Sequence, residues 1–138
     1  MLKQADLVLG DFEGTINPDY PLSGYPLFNA PQSVTAVISD AGYDVMDLAH
    51  NHILDSGLEG AFTTADAFKE VGIDPVGVYE NPVRDKAPLF IKNVNGIKAA
   101  ILSYAYGFNG LESNLTEKEI ANHLSNLDEK RMKVEIER

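Results

Sequence analysis

Two short polar clusters carry most of the residues in this sequence that could do chemistry. Asp11 and Glu13 follow an apolar run that ends at Gly10, and Asn51 and His52 follow a second apolar run. In open α/β sheets the binding crevice lies at the carboxyl ends of the strands, so polar residues at the ends of neighbouring strands converge there. The sequence therefore predicts one polar site built from these four side chains.

Carboxylate, amide and imidazole groups together form a ligand set that suits Mn²⁺, Mg²⁺, Fe²⁺ or Zn²⁺. A metal in such a site would polarise a phosphoryl or acyl oxygen and generate hydroxide, and an adjacent imidazole would protonate the leaving group. The alternative interpretation is structural. In that case Asp11 and Glu13 cap a turn, and Asn51 and His52 hydrogen-bond the loop that begins the next helix.

Three apolar runs predict the strands that would hold these clusters: residues 6–10, 44–49 and 73–78. Residues 17–31, between the first two runs, contain four prolines and are expected to form a loop. The polar clusters then stand at the ends of the first two strands.

Two helices are predicted between these strands. The first begins near Pro31 and ends at Gly42, because proline suits a first helical turn and glycine a helix end. The second begins at Ser56 and Glu59, which have capping-box spacing, and ends before Gly72. Strands that alternate with helices indicate an α/β fold with a mostly parallel sheet and flanking helices.

A hairpin and a C-terminal helix are predicted in the rest of the sequence. Residues 88–94 and 96–104 would pair as a hairpin, because Asn95-Gly96 between them is the strongest short turn signal in the chain. Residues 116–135 are expected to form one helix, which opens with a capping box between its first residue and Glu119.

Four further residues lie where they could support the site. Asp55 could fix His52 through a hydrogen bond from outside the ligand set, although an Asp at this position is more commonly a helix cap. His50 lies in the same polar cluster and is also expected to support it from outside. Tyr104 and Asn109 follow a predicted strand end, where contact with a substrate is expected.

The overall composition excludes several classes of function. The chain of 138 residues has 11 Lys and Arg against 21 Asp and Glu, a formal charge of −10, so we expect no nucleic acid partner. It has no cysteine, which excludes disulfides, thiolate metal sites and cysteine nucleophiles. No apolar run approaches the roughly 18 residues of a membrane span, and no signal peptide is expected in this chain.

Three segments of the sequence resemble the CapA family of bacterial capsule synthesis. Residues 6–14 read DLVLGDFEG, similar to the family segment D-l-v-v-x-N-L-E-g. Residues 41–57 read AGYDVMDLAHNHILDSG and resemble the signature aGfDvvslANNHxlDyG. Residues 104–110 read YAYGFNG, similar to tyGxNG. The chain has Asp11 and His50 where the family usually has Asn.

The resemblance implies a calcineurin-type metallophosphoesterase fold and a role in poly-gamma-glutamate capsule synthesis. It also implies that Asn51 is a metal ligand, that His52 contacts the substrate leaving group, and that Glu13 or Asp11 is a further ligand. The family's opening Gly-Asp motif and later His-Trp-Gly-x-Glu segment have no counterpart here. We therefore expect residues 1–138 to be the central fragment of one domain, a partial sandwich that is inactive alone.

The same resemblance gives expectations about the parent protein. Its substrate would be an anionic polymer or a phosphoester, its partners would be capsule-synthesis membrane proteins, and it would act in the cell envelope at the extracellular face of the bacterial membrane. An open sheet edge in a partial domain could be covered by a homodimer. Two functions stay open: a metal-dependent hydrolase, and a non-catalytic component for assembly, anchoring or polymer binding.

Overall fold

Parallel strands form the centre of the fold in the computed structural model, which describes residues 2–137. In chain order the elements are β1 (Leu9–Asp11), α1 (Ser33–Ala41), β2 (Val45–Asp47), α2 (Gly57–Glu70), β3 (Asp74–Val76), β4 (Ile91–Val94), β5 (Ile97–Ala100), α3 (Glu117–His123) and α4 (Glu129–Ile136). The predicted α/β class, with a parallel sheet, flanking helices and a C-terminal hairpin and helix, is confirmed. None of the helices within residues 2–137 is long and apolar enough to cross a membrane.

The three central strands lie in the order β1-β2-β3, and both pairings are parallel. Leu9 lies opposite Val45, and Asp11 lies opposite Asp47. Because β1 and β2 are parallel and aligned, the segments that follow them both leave from the carboxyl-terminal end of the sheet. This alignment brings the two polar clusters of the sequence together.

The core lies between the sheet and α2. Ala61, Ala65 and Phe68 recur at helical spacing, and all three are buried against the sheet side of the helix. They pack with Leu48, which continues β2, and with Ile73, which precedes β3. The apolar face of α2 thus holds the end of β2 in place, directly before the candidate site.

Gly77 allows the ends of β2 and β3 to approach each other closely. Its φ is +100°, in the left-handed region, and a Cβ at this position would lie 2.7 Å from the main-chain nitrogen of Ala49. Leu48 N donates to Val76 O at 2.9 Å immediately beside it. Glycine is therefore required at position 77, because a side chain there would collide with Ala49 in the segment that leaves β2.

The β4–β5 hairpin forms a separate two-stranded antiparallel sheet. Asn95 and Gly96 both have positive φ, 52° and 88°, as the predicted two-residue turn requires. The hairpin prediction is confirmed, although the strands are shorter than the predicted segments. The predicted capping box of Thr116 and Glu119 is confirmed as well.

Two helix predictions were wrong because tertiary hydrogen bonds replace the expected local ones. The single helix over residues 116–135 is two helices, separated where Leu124 is extended and fully buried. There Ser125 N donates to Gly77 O at 3.0 Å, so the segment pairs with the end of the sheet. Ser56 makes no capping bond, since its hydroxyl donates to Thr15 Oγ1 at 2.8 Å.

A buried arginine links several segments in the second half of the chain. Arg84 is 2% exposed, and its Nε and Nη2 donate to the Glu135 carboxylate at 3.0 and 3.1 Å. Its Nη1 donates to the main-chain oxygen of Leu124 at 3.0 Å. The Tyr104 hydroxyl donates to Glu135 Oε2 at 2.6 Å, and burial together with this carboxylate raises the pKa of Tyr104 to about 12. The cluster therefore holds α4 against the rest of the fold.

Replacing Glu135 by alanine should lower the free energy of unfolding by about 3 kcal/mol, because it leaves the buried Arg84 charge without its carboxylate. Urea denaturation measures the change. Glu137→Ala, at an exposed position at the end of the same helix, is the control and should change stability by less than about 0.5 kcal/mol. Equal effects of the two substitutions would contradict the role of the cluster.

The same cluster gives a pH dependence. Burial of the Glu135 carboxyl acts to raise its pKa, but the hydrogen bonds from Arg84 and Tyr104 outweigh burial and hold the pKa below its ordinary value. The stability from ionised Glu135 is therefore present above the ordinary pKa of 4.5 and is lost as the pH falls through the lowered one. As the pH is lowered, the urea concentration at the unfolding midpoint should fall less steeply for Glu135→Ala than for the wild type.

Candidate functional site

The candidate site is built on the tight turn that follows β2. Asp47, the last residue of β2, accepts a hydrogen bond from Ala49 N at 2.8 Å and another from the Ser103 hydroxyl. Further along, Asp55 N donates to His52 O at 3.1 Å. These bonds wind residues 49–56 into a compact turn. The Asn51 side chain stands exposed on this turn, whereas His52 and Asp55 are buried.

A buried carboxylate holds the imidazole of His52. The Asp55 side chain is 1% exposed, and its Oδ2 lies 2.9 Å from His52 Nδ1. The same oxygen accepts a hydrogen bond from Phe28 N at 2.6 Å. The Phe28 ring packs edge-on against the His52 ring, with 4.6 Å between their centroids. Because a carboxylate only accepts hydrogen bonds, the Nδ1 atom of His52 carries a proton and Nε2 faces the site.

Glu13 lies on the other side of this imidazole, and Asp11 lies near Glu13 at the end of β1. Glu13 Oε1 is 3.8 Å from His52 Nε2, and its side chain is 57% exposed. Asp11 lies opposite Asp47 in the sheet. Burial raises the pKa of Asp11, and the negative charges of Asp47 and Glu13 raise it further. Three carboxylates thus lie near one another at this edge, an arrangement that a bound cation would stabilise.

His50 contacts the main chain of the site. Its Nδ1 lies 3.2 Å from His52 N and accepts a hydrogen bond from it. Burial and, to a smaller extent, the neighbouring His52 lower the pKa of His50 to about 4, and a hydrogen bond to the Phe12 main chain partly opposes them. His50 is therefore neutral at pH 7, and because its Nδ1 accepts, its proton is on Nε2.

The two residues that were predicted to contact a substrate, Tyr104 and Asn109, both line an open cavity beside Asn51. Asn109 contacts the site directly: its Oδ1 accepts from Asn51 Nδ2 at 3.1 Å, and its Nδ2 is 3.4 Å from His52 Nδ1. The Tyr104 hydroxyl donates to Glu135. The structure thus brings together Glu13, Asn51, His52, Asp55 and Asn109, with His50 beneath them and Asp11 beside Asp47.

The donor chemistry of the site fits part of a divalent-metal centre. Glu13 offers carboxylate oxygens, and the amide oxygen of Asn51 is available because its Nδ2 is turned to Asn109. Within the described part of the chain, no group of three or more His, Asp or Glu side chains is arranged to hold a metal ion. The site residues nevertheless carry donor atoms of the kinds that bind divalent metals.

Sequence reasoning missed three residues that shape the site. Asp47 was predicted only as a strand residue, which is correct, but its charge also acts on Asp11, its partner in the sheet. The alternation of side chains along parallel strands could have indicated this, since both residues end their strands. Ser103 and Phe28 reach the site from 56 and 27 residues away in sequence, and no local pattern indicates such contacts.

Removing the Asp55 carboxylate should destabilise the fold. In Asp55→Ala, Phe28 N and His52 Nδ1 both lose their acceptor in a buried place, so we expect a loss of about 3 kcal/mol in urea denaturation. Asp66→Ala is the matched control, because Asp66 forms an exposed i,i+3 pair with Lys69 and should contribute less than about 1 kcal/mol. A loss no larger than that of the control would refute the role given to Asp55.

Comparison with known proteins identifies the family of this chain. The family described as bacterial capsule synthesis protein PGA_cap matches residues 1–138. The capsule biosynthesis protein CapA of Bacillus anthracis is 33% identical over 112 residues, which are 78% of this chain and 27% of that protein. The PGA biosynthesis protein CapA of Bacillus subtilis (strain 168) is 25% identical over 107 residues, 75% of this chain and 28% of that protein.

The chain thus spans little more than a quarter of the length of these two relatives. The family match, in contrast, covers every residue of the sequence. It confirms the resemblance seen in residues 6–14, 41–57 and 104–110. On this evidence the chain belongs to the bacterial capsule synthesis family PGA_cap.

Proposed function

We propose that this chain acts in bacterial capsule biosynthesis as part of a metal-dependent hydrolase, to which it contributes the proton-donating imidazole and some of the metal ligands. The observation that carries the proposal is the placement of His52, which is held at Nδ1 by buried Asp55 and faces Glu13 with Nε2. Membership of the capsule synthesis family supports the biological role. Two relatives named for capsule and PGA biosynthesis support it further.

Each residue of the site has a role in the proposed reaction. Asn51 would hold the metal together with Glu13 or Asp11. When bound, a divalent ion would polarise the substrate and lower the pKa of water. In its doubly protonated form, His52 would deliver the Nε2 proton to the leaving-group oxygen and keep the Nδ1 proton, while Asp55 holds the ring in place through Nδ1. This role needs the ring held at one nitrogen with the other directed into the site, beside Glu13.

Charge supports a cation at this site. The chain carries a formal charge of −10. The pKa of Asp11 is raised by burial first, and further by the negative charges of Asp47 and Glu13. Oxygen and nitrogen donors of this mixture suit Mn²⁺, Mg²⁺, Fe²⁺ or Zn²⁺. We propose Mn²⁺ as the first ion to test, because it accepts both donor types.

An open cavity beside Asn51 offers space for a substrate. It measures about 550 Å³ and lies between residues 49–51 and 104–112. We propose that an anionic polymer or a phosphoester binds there. Because the chain is itself acidic, such a substrate would be repelled without a metal ion, so substrate binding and metal binding should depend on each other.

A non-catalytic role in assembly, anchoring or polymer binding is the second candidate. It is favoured by one observation, namely that residues 2–137 contain no group of three or more His, Asp or Glu side chains arranged to hold a metal. In either case we propose that the parent protein acts at the extracellular face of the cell envelope with capsule-synthesis membrane proteins. Pairing through β1, an edge strand with Leu9 52% exposed, would give a homodimer.

Calorimetric titration with Mn²⁺ tests the proposal. We expect the wild-type chain to bind one ion per chain. Asn51→Ala should bind it at least about 10-fold more weakly, and so should whichever of Glu13→Gln and Asp11→Asn removes the carboxylate ligand. Glu80→Gln, at an exposed position, is the control and should bind as the wild type does.

The outcomes separate the two candidate functions. A wild-type chain that binds no Mn²⁺ at millimolar concentration would refute the metal site and leave the non-catalytic role. Equal weakening in Glu80→Gln would show that the ion binds through general negative charge. A tight pair of ions per chain would contradict the partial ligand set.

A further inference from the structure

We infer that Asn109 is a positioning residue, which fixes the side-chain amide of Asn51 so that the Asn51 oxygen is presented to the metal. The consequence for metal binding rests on the proposed function. The contact between the two amides does not depend on any metal. It therefore gives Asn109 a role distinct from the substrate contact that the sequence suggested.

The direction of the hydrogen bond determines which atom of Asn51 is available. Asn51 Nδ2 donates to Asn109 Oδ1 at 3.1 Å. The NH₂ group of an amide has no lone pair to offer a cation, whereas the oxygen has two. The oxygen and the NH₂ group are the two terminal substituents of the same amide carbon. A partner that binds the NH₂ group therefore directs the oxygen away from itself. Without it, the exposed Asn51 side chain could rotate freely.

Asn109 can hold this position because its own segment is anchored. The preceding residue, Phe108, is 2% exposed and belongs to the hydrophobic core. The chain then turns sharply: Asn109 and Gly110 have positive φ of 56° and 82°, and Leu111 N donates to Phe108 O at 3.0 Å. Asparagine is one of the few residues other than glycine that adopt this conformation readily. An exposed amide thus stands on a fixed turn.

The second contact of Asn109 does not compete with this role. Asn109 Nδ2 lies 3.4 Å from His52 Nδ1, and Asp55 Oδ2 lies 2.9 Å from the same nitrogen. A ring nitrogen cannot accept from Asn109 and donate to Asp55 at once. The shorter bond to a carboxylate is the stronger one, so His52 donates to Asp55. Asn109 therefore acts on Asn51 and does not set the proton position of His52.

The contact can be tested without metal by NMR of the ¹⁵N-labelled chain, with the Asn51 side-chain amide assigned from its loss in Asn51→Ala. Asn109→Gly removes the acceptor and tolerates a φ of 56°. Asn109→Asp keeps an acceptor oxygen. Asn95→Gly is the matched control, because Asn95 has a φ of 52°, precedes a glycine as Asn109 does, and lies in the β4–β5 turn.

We expect the Asn51 amide protons to have the small temperature coefficients of hydrogen-bonded groups in the wild type, in Asn109→Asp and in Asn95→Gly. In Asn109→Gly they should have the large coefficients of solvated groups. Coefficients that are the same in Asn109→Gly as in the wild type would overturn the inference, whether or not the chain binds metal.

Mn²⁺ titration of the same variants tests the consequence for metal binding. Asn109→Gly should bind Mn²⁺ about 10-fold more weakly. This is the lower end of the range expected for losing a residue that orients a metal ligand, because the contact is exposed. Asn109→Asp should bind at least as tightly as the wild type, and Asn95→Gly within about 2-fold.

Binding by Asn109→Gly that equals the wild type, or binding by Asn109→Asp as weak as that of Asn109→Gly, would overturn the inference. A wild-type chain without Mn²⁺ binding would refute the proposed metal function instead. In that case the amide measurement alone decides whether Asn109 positions Asn51.

Discussion

One buried carboxylate, that of Asp55, fixes the relative positions of the segments that make this site. It accepts from Phe28 N in the loop between β1 and α1 and from His52 in the turn after β2. Phe28 O in turn accepts from Thr15 N at 3.1 Å, which ties the loop to the chain that leaves β1. A charge buried at 1% exposure is unfavourable unless it is hydrogen-bonded, so these donors are held firmly. The proline-rich loop is thereby part of the site.

The parallel sheet supplies the other constraint. Because β1 and β2 pair in register, their ends deliver Asp11 and Asp47 side by side, and Glu13 follows on the side of His52. Burial raises the pKa of Asp11, and the like charges of Asp47 and Glu13 raise it further. The fold therefore concentrates negative charge where the imidazole and the Asn51 amide are presented. This is physically consistent with a cation-dependent role in the capsule synthesis family.

Local sequence patterns predicted the parts of this fold that local interactions determine. Asn95-Gly96 forms its turn because both residues tolerate positive φ, and the Thr116 capping box forms within one helical turn. The predictions that were wrong depend on distant partners. Ser56 caps no helix because Thr15 takes its hydroxyl, and Leu124 leaves the helix because its neighbour Ser125 pairs with Gly77.

The same distinction holds at the site. Strand ends predicted that the polar clusters converge, since parallel strands finish at one edge. Neither the edge-on packing of Phe28 on His52 nor the hydroxyl that Ser103 gives Asp47 has a signal in local spacing. The roles proposed for Asn51 and His52 rest on both spacing and resemblance, and the geometry adds their hydrogen-bond partners, Asn109 and Asp55.

The most direct test of this account is the proton position on the two buried histidines, read from ¹⁵N-edited NMR of the imidazole nitrogens in the wild-type chain at neutral pH. We expect His52 to carry a proton on Nδ1, because it donates to Asp55, and His50 to carry its proton on Nε2, because its Nδ1 accepts from His52 N. The account would be contradicted by a His52 that is unprotonated at Nδ1, since Asp55 would then not be the group that holds the imidazole.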